Sequence, residues 1–556
     1  MIVAMVAVLG RVLGLWGARG GWLFAGVTVS VVSVLLGLAL MALAGRGVAD
    51  GIHAGTLFVG GGGLAFVMLR GVVVARPVAR YLERLVTHEA TFRALADTRV
   101  WFFGRLAERL PAGIGMRRMG DLLGRLVSDV EALDGFYLRA LVPGAAAIAA
   151  VLGIAVVLGF ASTALAAVVV VPLALALLLP PLLAPRAARV ATAVASRQGA
   201  LRAAVVDPLT GMEDTLAANA EARAGARVAA EGAALAEAER RVAREAAIGG
   251  AAGAVLIRLA LLGALGWGLA MGAEGMAPAV LAVFLAVASA EALGLMPRAG
   301  ASIAAAAAAG ARLFEAADTA PPVSDPATPA AAPIGHALGV EAVRFAWTPD
   351  RAPVFESLDL DVPEGARVAL LGPSGSGKST LAALLLKLAA PAGGRITLGG
   401  VDIADLPAAL VRTRIACLTQ DARLFDDTIA ANLRIADPGA DDAALWQALD
   451  RARVGEVVRA LPDGLATQCG EAGVRFSGGQ ARRLVLARVL LSPASVLILD
   501  EPAAGLDAAN ERAFLETLES ATAGRSVILI THRLVGVERP TRILRLVGGR
   551  AIPAAG

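Results

Sequence analysis

Uncharged apolar stretches long enough to cross a membrane recur through the first half of the chain. Such a stretch needs about 20 residues, because an α-helix rises ~1.5 Å per residue and the hydrocarbon layer is ~30 Å thick. The pattern predicts six spanning helices: 20–45, 51–69, two within 140–185 that turn near 159–163, 246–273 and 275–297.

The distribution of arginine predicts the orientation of these helices. Arginine is concentrated in 76–139 and 186–245, whereas the short turns at 45–53, 159–163 and 272–275 are nearly free of it. The positive-inside rule therefore places both termini and the two long segments in the cytoplasm. Residues 216–245 are alanine-rich with charges at helical spacing, so we expect the helices to continue into the cytosol, with tips near 116–121 and 207–214.

The second half of the chain has the pattern of a soluble α/β domain. A segment with five prolines at 319–335 precedes it, which is typical of a linker. We therefore predict an all-α membrane domain at 1–318, a linker at 319–335 and an α/β domain at 336–556.

Composition narrows the classes of function. Hydrophobic residues make up 57% of the chain, above the ~45–50% of soluble domains. Arginine dominates the basic residues, since Lys378 and Lys387 are the only lysines, and no basic run is interleaved with aromatics. A nucleic-acid partner is therefore not expected. Cys417 and Cys469 lie far apart without a Cys-x-x-Cys pair, which indicates two reduced thiols.

A phosphate-binding loop begins the chemistry of the second half. The apolar run 367–371 leads into Gly-Pro-Ser-Gly-Ser-Gly-Lys-Ser-Thr at 372–380, followed by a helical pattern, which is the context that a Walker A loop requires. Lys378 is the candidate for bridging the β- and γ-phosphates, and Ser379 for binding Mg²⁺. The predicted ATP-binding residues of this loop are Gly372, Ser374, Gly375, Gly377, Lys378, Ser379 and Thr380.

A Walker B pattern follows further along the chain. Four apolar strand residues at 496–499 end in Asp500 and Glu501. Asp500 is suited to binding Mg²⁺, and Glu501 is suited to polarising the water that attacks ATP.

Phe476-Ser477-Gly478-Gly479-Gln480, which precedes a helix, resembles the LSGGQ signature of the ATP-binding cassette (ABC) transporters with Phe in place of Leu. This resemblance implies a six-helix exporter domain of the type IV fold fused to a P-loop nucleotide-binding domain. It also implies ATP hydrolysis coupled to the transport of a small molecule, with ATP and Mg²⁺ bound.

The resemblance assigns further roles, residue by residue. Gln420 matches the Q-loop that contacts Mg²⁺, Asp507 the D-loop, His532 the catalytic switch histidine and Trp347 the aromatic that stacks on adenine. In this family two nucleotide-binding domains enclose two ATP molecules head to tail. The residues expected on the partner's ATP are Ser477, Gly478, Gly479 and Gln480.

The segments 79–95 and 120–139 are similar to the CydC-type subunits of heterodimeric CydDC exporters. This implies a bacterial inner-membrane complex with a homologous CydD-like partner and surrounding lipid. It also implies export of cysteine or glutathione, or movement of haem, in support of cytochrome bd assembly. The alternatives are a homodimeric lipid or multidrug exporter, and a membrane-bound regulator or haem sensor without transport.

Charged residues near the spans suggest a ligand site in the membrane domain. Arg76, Arg80, Arg84 and His88 share one helix face, which could hold an anionic ligand or, through His88, haem. The other interpretation is a cytoplasmic face neutralised by Glu83, Glu89 and lipid phosphates.

Two further charges stand inside the last pair of spans. Arg258 and Glu291 fall at similar depths on that hairpin. They are expected either to pair with each other, to line a cavity, or to lie at the headgroup level.

Overall fold

The computed structural model describes residues 2–53, 64–109, 124–348, 351–373, 375–420, 422–503 and 508–554. The chain divides into two compact units, one containing Met1–Glu108 and Met116–Thr319 and the other containing Ala320–Gly556. This division lies close to residue 318, where the predicted membrane domain ends.

The described residues of the first unit form helices joined by short turns. Its helices are α1 Ile2–Leu15, α2 Gly20–His53, α3 Leu64–Ala107, α4 Arg125–Ala161, α5 Thr163–Thr210, α6 Met212–Ala217, α7 Glu221–Met271, α8 Ala273–Leu293 and α9 Met296–Asp318. Two predicted turns have clear local causes. Ser162 is extended and its hydroxyl caps α5, accepting from the Leu165 N–H at 3.3 Å. Gly272, with φ 67°, separates α7 from α8.

Four described helical stretches are long and apolar enough to cross a membrane: Val3–Gly51, Arg125–Ala161, Glu221–Met271 and Ala273–Asp318. A shorter apolar helix, Thr163–Leu179, accompanies them. They contain the predicted spans at 20–45, 246–273 and 275–297 and both parts of the predicted hairpin. The predicted span 51–69 includes residues 54–63, which lie outside the described part of the chain.

The predicted turn at 45–53 is wrong, because α2 continues through these residues to His53. Arg46 and Asp50 end the apolar stretch but not the helix, whose backbone hydrogen bonds do not depend on the surrounding solvent. The predicted continuity of the helix beyond the apolar span is confirmed, since α7 runs unbroken from Glu221 to Met271. At the predicted tip 207–214, α5 ends at Thr210 and α6 begins at Met212; the tip at 116–121 lies outside the described residues.

The core of the helical unit is built from aliphatic and small side chains. Ile154, Leu165 and Leu285 are fully buried among alanines of α4, α5, α7 and α8. α7 packs along α5, and α2 packs against α3 and α8. Within lipid, apolar burial contributes little to helix association, so the helices depend on close packing. Small side chains allow this close approach.

The second unit contains two sheets. Its strands are β1 Leu338–Phe345, β2 Phe355–Val362, β3 Arg367–Leu371, β4 Gly393–Leu398, β5 Val401–Asp402, β6 Ile415–Leu418, β7 Val496–Asp500, β8 Ser526–Thr531, β9 Arg542–Val547 and β10 Arg550–Pro553. The first sheet has four strands in the antiparallel order β2-β1-β4-β5. The second has six strands in the order β10-β9-β3-β8-β7-β6, parallel except for β10.

The helices of this unit are α10 Lys378–Leu385, α11 Ala408–Arg414, α12 Ile429–Arg434, α13 Asp442–Arg451, α14 Gly455–Arg459, α15 Gly478–Leu491 and α16 Ala508–Ala521. Part of the predicted linker is fixed to this unit. The Ala330 N–H donates to the Asp405 carbonyl at 2.9 Å, and the Asp325 carboxylate accepts from the Ala408 N–H at 2.8 Å.

The parallel strands determine where the predicted site residues meet. β3 leads into the Walker A loop, β7 ends at Asp500, and Gln420 and His532 follow β6 and β8. Because β3, β8, β7 and β6 are neighbours in the sheet, their carboxyl ends form one edge. Ligands of open α/β sheets bind at this edge.

Candidate functional site

The glycine-rich loop after β3 has a backbone suited to binding phosphate. Gly375 and Gly377 have φ angles of 81° and 103°, which glycine adopts without steric cost because it lacks a Cβ. At Gly377 a Cβ would lie 2.8 Å from the Phe355 ring. α10 begins at Lys378, so its first N–H groups point toward the loop, as at other phosphate-binding helix N-termini.

The only charged side chain of this loop lies across it. The Lys378 ammonium donates to the carbonyls of Gly372 and Pro373 at 2.7 and 2.8 Å. These bonds hold a positive charge above the loop, where a polyphosphate would need it. Ser374, predicted as part of the loop, lies outside the described residues.

Two oxygen ligands suited to Mg²⁺ lie beside the loop. The Ser379 hydroxyl donates to Asp500 Oδ2 over 3.5 Å. Burial, with the neighbouring Glu501 carboxylate, raises the pKa of Asp500, and Lys378 partly opposes this. A divalent cation would favour the carboxylate form of Asp500, and Mg²⁺ prefers such oxygen ligands. The residues present therefore fit the predicted metal.

Glu501 is held in an unusual backbone conformation. Its φ is 48°, in the left-handed region, which costs a residue with a Cβ about 1–3 kcal/mol. The conformation is fixed by the Glu501 N–H, which donates to the Ile530 carbonyl of β8 at 2.8 Å. Its carboxylate lies 3.6 Å from His532 Nδ1. The strain thus presents one carboxylate at the sheet edge beside the predicted switch histidine.

These groups line one cavity of about 450 Å³. Its lining includes Trp347, Gly372, Gly375, Gly377, Lys378, Ser379, Thr380, Gln420, Asp500, Glu501 and His532, together with Val354 and Pro373, which the sequence did not single out. The Trp347 indole N–H donates to the Thr380 hydroxyl at 3.2 Å, which fixes the ring at the rim of the cavity. Asp507 lies outside the described residues.

The signature residues are placed differently from the others. Ser477 caps α15: its hydroxyl accepts from the Gln480 N–H at 3.3 Å, and the Gln480 side chain accepts from the Ser477 N–H at 3.0 Å. At this helix N-terminus Gly478 is exposed and Gly479 is half-buried, and a helix N-terminus favours anions. None of these four residues lines the cavity described above.

Arg482, on the first turns of α15, is a site residue that the sequence analysis missed. Its guanidinium donates to the backbone carbonyls of Glu501 at 3.1 Å, Gln420 at 2.8 Å and Asp500 at 2.5 Å. It therefore joins the signature helix to the Q-loop and to the end of β7. The sequence offers two adjacent arginines, Arg482 and Arg483, and does not say which one faces the sheet.

We expect Arg482→Gln to lower the ATPase kcat of the assembled transporter by about tenfold to a hundredfold, since small displacements of catalytic groups have effects of this size. An amide cannot bond to all three carbonyls at once, whereas ATP binding, which depends on Lys378 and Trp347, should persist. Steady-state phosphate release and equilibrium ATP binding measure the two quantities. Arg395→Gln, which removes an exposed guanidinium paired with Glu341, is the matched control. An unchanged kcat in Arg482→Gln would contradict this role.

In the helical unit, the predicted arginine stripe has an unexpected partner. Arg76 and Arg80 of α3 both form ion pairs with Glu291 of α8. The suggested Arg258–Glu291 pair is therefore wrong, because Glu291 projects toward α3 rather than toward α7. Glu83, one of the acids expected to neutralise the stripe, accepts a hydrogen bond from the Ser30 hydroxyl at 2.7 Å.

Glu89, the other acid expected to neutralise the stripe, instead pairs with Arg93. Arg76, Arg80, Glu83 and Glu291 line a cavity of about 280 Å³ between α2, α3, α4 and α8. Glu291 therefore lines a cavity, as one of the predicted options stated.

Arg84 and His88 do not line this cavity. His88 is exposed, its Nδ1 is hydrogen-bonded to the Arg84 carbonyl at 2.9 Å, and its ring meets Phe92 edge-on. Among the described residues, no group of three or more His, Cys, Asp or Glu side chains is arranged to hold a metal ion.

Neither cysteine has the properties of a reactive thiol. Burial and the nearby Asp500 carboxylate raise the pKa of Cys417 to about 12. Burial raises the pKa of Cys469 to about 11. Both thiols are neutral near pH 7, and the thiolate is the nucleophilic form.

Comparison with known proteins agrees with this geometry. A family model described as ABC transporter matches residues 355–504. CydC of the Escherichia coli glutathione/L-cysteine transport system is 32% identical over 96% of this chain and 94% of its own length. CydD of the corresponding Bacillus subtilis system is 30% identical over 87% of this chain and 85% of its own.

Two further comparisons concern other exporters. An ATP-dependent lipid A-core flippase of Chromohalobacter salexigens is 40% identical, but over 42% of this chain and 40% of its own length. The solved structure of a bacterial Atm1-family ABC exporter with ATP bound matches with a TM-score of 0.85 and 26% identity, over 95% of this chain and 94% of that one. The chain therefore belongs to the ABC exporters, which couple ATP hydrolysis to transport across a membrane, as a half-transporter of the CydC/CydD type.

Proposed function

We propose that this chain is the CydC-like half of a heterodimeric exporter of the bacterial inner membrane. It moves cysteine or glutathione out of the cytoplasm in support of cytochrome bd assembly. The observation that carries the proposal is the length of the CydC match, which spans 96% of this chain and so includes the membrane half. The flippase match covers 42% of the chain, so it supports the alternative of a lipid exporter much less strongly.

The cavity in the membrane half supports a polar cargo. It presents four charged side chains and two serines, Ser30 and Ser33, whose side chains are buried. Small-molecule sites are mostly apolar, with a few placed polar groups that fix the orientation of the ligand, and here those groups include charges of both signs. A small zwitterionic thiol suits this lining better than a lipid or a hydrophobic drug.

The second unit supplies the ATP chemistry. Lys378 and the loop N–H groups hold the β- and γ-phosphates, and Trp347 stacks on adenine. Ser379, Asp500 and Gln420 would hold Mg²⁺, which would neutralise charge on the phosphates. Glu501 orients the attacking water and takes up its proton, with His532, 3.6 Å away, stabilising the γ-phosphate.

Each ATP site needs both subunits. Ser477 and Gly479 present the N-terminus of α15 to the partner's ATP, with Gly478 and Gln480 completing that surface and Asp507 contacting the nucleotide at the dimer interface. A lone chain is therefore nearly inactive. Closure of the paired domains draws the cytoplasmic helices together and opens the membrane half outward, and hydrolysis resets it.

Haem handling is a second candidate function, favoured by one observation. The Arg84 carbonyl bonds to His88 Nδ1 at 2.9 Å, which places the proton on Nδ1 and leaves the Nε2 lone pair outward. This is the tautomer that ligates metals. Arg84, one helical turn away, could hold a haem carboxylate.

The test is the ATPase rate of the complex purified through an affinity tag on this chain, with cysteine, glutathione or haem added. We expect stimulation by the thiols that is unchanged in His88→Ala. Stimulation by haem that is lost in His88→Ala would instead establish the second candidate. Purification of this chain only as a homodimer would contradict the heterodimer.

A further inference from the structure

The charged cavity of the membrane half separates its charges along one helix. Arg76, Arg80 and Glu83 stand at i, i+4 and i+7 on α3, so they share a face. Both guanidinium groups contact the single carboxylate of Glu291. Glu83 contacts the hydroxyl of Ser30 instead. One end of the cavity is therefore cationic, with two guanidinium groups for one carboxylate, and the next turn is anionic.

This spacing suits an amino acid headgroup. Side chains three residues apart on a helix have Cβ atoms about 5–6 Å apart, so Arg80 and Glu83 can address two neighbouring groups of one small molecule. A carboxylate pairs with guanidinium groups, and an ammonium pairs with a carboxylate and a hydroxyl acceptor. An α-amino acid carries both groups on one carbon.

We infer that this cavity recognises the α-ammonium and α-carboxylate groups of the cargo. Arg76 and Arg80 bind the carboxylate, and Glu83 with Ser30 binds the ammonium. Glu291 is a tethered carboxylate that occupies the arginines until the cargo displaces it. This inference rests on the proposed function and names the chemical groups of the cargo that the site binds.

The position of the cavity is appropriate for loading from the cytoplasm. Glu291 lies on α8, and the outer turn of that helix is at Gly272. At ~1.5 Å per residue the carboxylate is about 28 Å from this turn, close to the cytoplasmic side of a ~30 Å hydrocarbon layer. An exporter takes up its cargo on this side.

The described residues of the lining offer neither a thiol nor an imidazole to bind the cargo's thiol. Its described residues include no cysteine and no histidine, and its remaining members are mostly aliphatic. The site therefore does not select for the thiol. Compounds with the same headgroup but an alkylated or oxidised sulfur should also be accepted.

The first experiment varies the cargo and measures ATPase stimulation of the tagged wild-type complex. S-methylglutathione should stimulate at concentrations within about fourfold of those for glutathione, because one methyl group is worth about 0.8 kcal/mol. Cysteamine, which lacks the carboxylate, and N-acetylcysteine, which lacks the ammonium, should require at least about tenfold more than cysteine. Equal stimulation by cysteamine and cysteine would overturn the inference.

The second experiment uses variants whose effects have opposite signs. Arg80→Gln should raise the half-maximal concentration of glutathione about tenfold or more, since it removes a charge-assisted hydrogen bond. Glu291→Gln should lower it several-fold, because the competing carboxylate is gone. Arg99→Gln, which removes an exposed guanidinium further along α3, is the control and should match wild type.

The outcomes separate this inference from the proposed function. Glutathione stimulation of wild type that is the same in Arg80→Gln and Glu291→Gln would leave thiol export intact and refute the site. Loss of stimulation in both variants would also refute it, because a purely structural ion pair predicts loss in both. No stimulation of wild type by any amino acid or thiol would refute the proposed function itself.

Discussion

Glu501→Gln is expected to abolish ATP turnover by the assembled transporter and to trap it with ATP bound. The amide has the shape of the carboxylate but cannot accept the proton of the attacking water, and loss of a general base typically costs about 10²–10⁴-fold in rate. The fold should not change, because the backbone of Glu501 is held by its own N–H bond to Ile530. Phosphate release measures turnover, and retention of labelled ATP through gel filtration measures trapping.

A matched control is available on α16. Glu516 is an exposed carboxylate of the same unit, so Glu516→Gln should turn over ATP at the wild-type rate. A Glu501→Gln transporter with near-normal ATPase would remove Glu501 as the base and direct attention to His532, 3.6 Å away.

Gly478→Asp is expected to lower ATP turnover to an extent similar to Glu501→Gln, for a different reason. Gly478 is the first residue of α15, and a Cβ there meets nothing within 4 Å. Acidic residues in the first turn of a helix stabilise it by about 0.3–1 kcal/mol, so this subunit should fold normally. If the helix N-terminus binds the partner's γ-phosphate, the added carboxylate repels it, and ATPase should fall about a hundredfold, as on loss of a transition-state donor.

Gly478→Asn introduces a neutral isostere of aspartate, so it separates the effect of charge on ATP turnover from the effect of size. Gly478→Asn should lose less activity than Gly478→Asp, and both should bind ATP at their own Walker A loop as wild type does. Wild-type ATPase in Gly478→Asp would contradict the placement of the signature on the partner's nucleotide.

The nucleotide site could be predicted from the sequence largely because its residues follow strands. Asp500 ends one apolar run, His532 follows another, and Lys378 follows a third across the glycine-rich loop. Parallel neighbours bring the carboxyl ends of these runs to one edge. The pattern of apolar and charged positions also predicted the break at 272–275, observed at Gly272, and a helical segment at 216–245, most of which lies in the helix that begins at Glu221. These features depend on local pattern, which a single chain displays.

Side-chain partners between helices could not be predicted in the same way. Glu291 pairs with α3 rather than with Arg258, because the choice depends on how each helix is rotated about its axis. Arg482 was missed for a related reason: its partners are backbone carbonyls, which leave no mark in the sequence. The left-handed conformation of Glu501 is imposed by the neighbouring strand, not by its residue type.

The most direct test of the account is uptake of labelled glutathione and cysteine into inverted membrane vesicles that contain the complex. Export from the cytoplasm becomes uptake in such vesicles, and the account predicts ATP-dependent accumulation that is lost in Glu501→Gln. ATP turnover without accumulation of either thiol would contradict it and favour a membrane-bound regulator or haem sensor that transports neither.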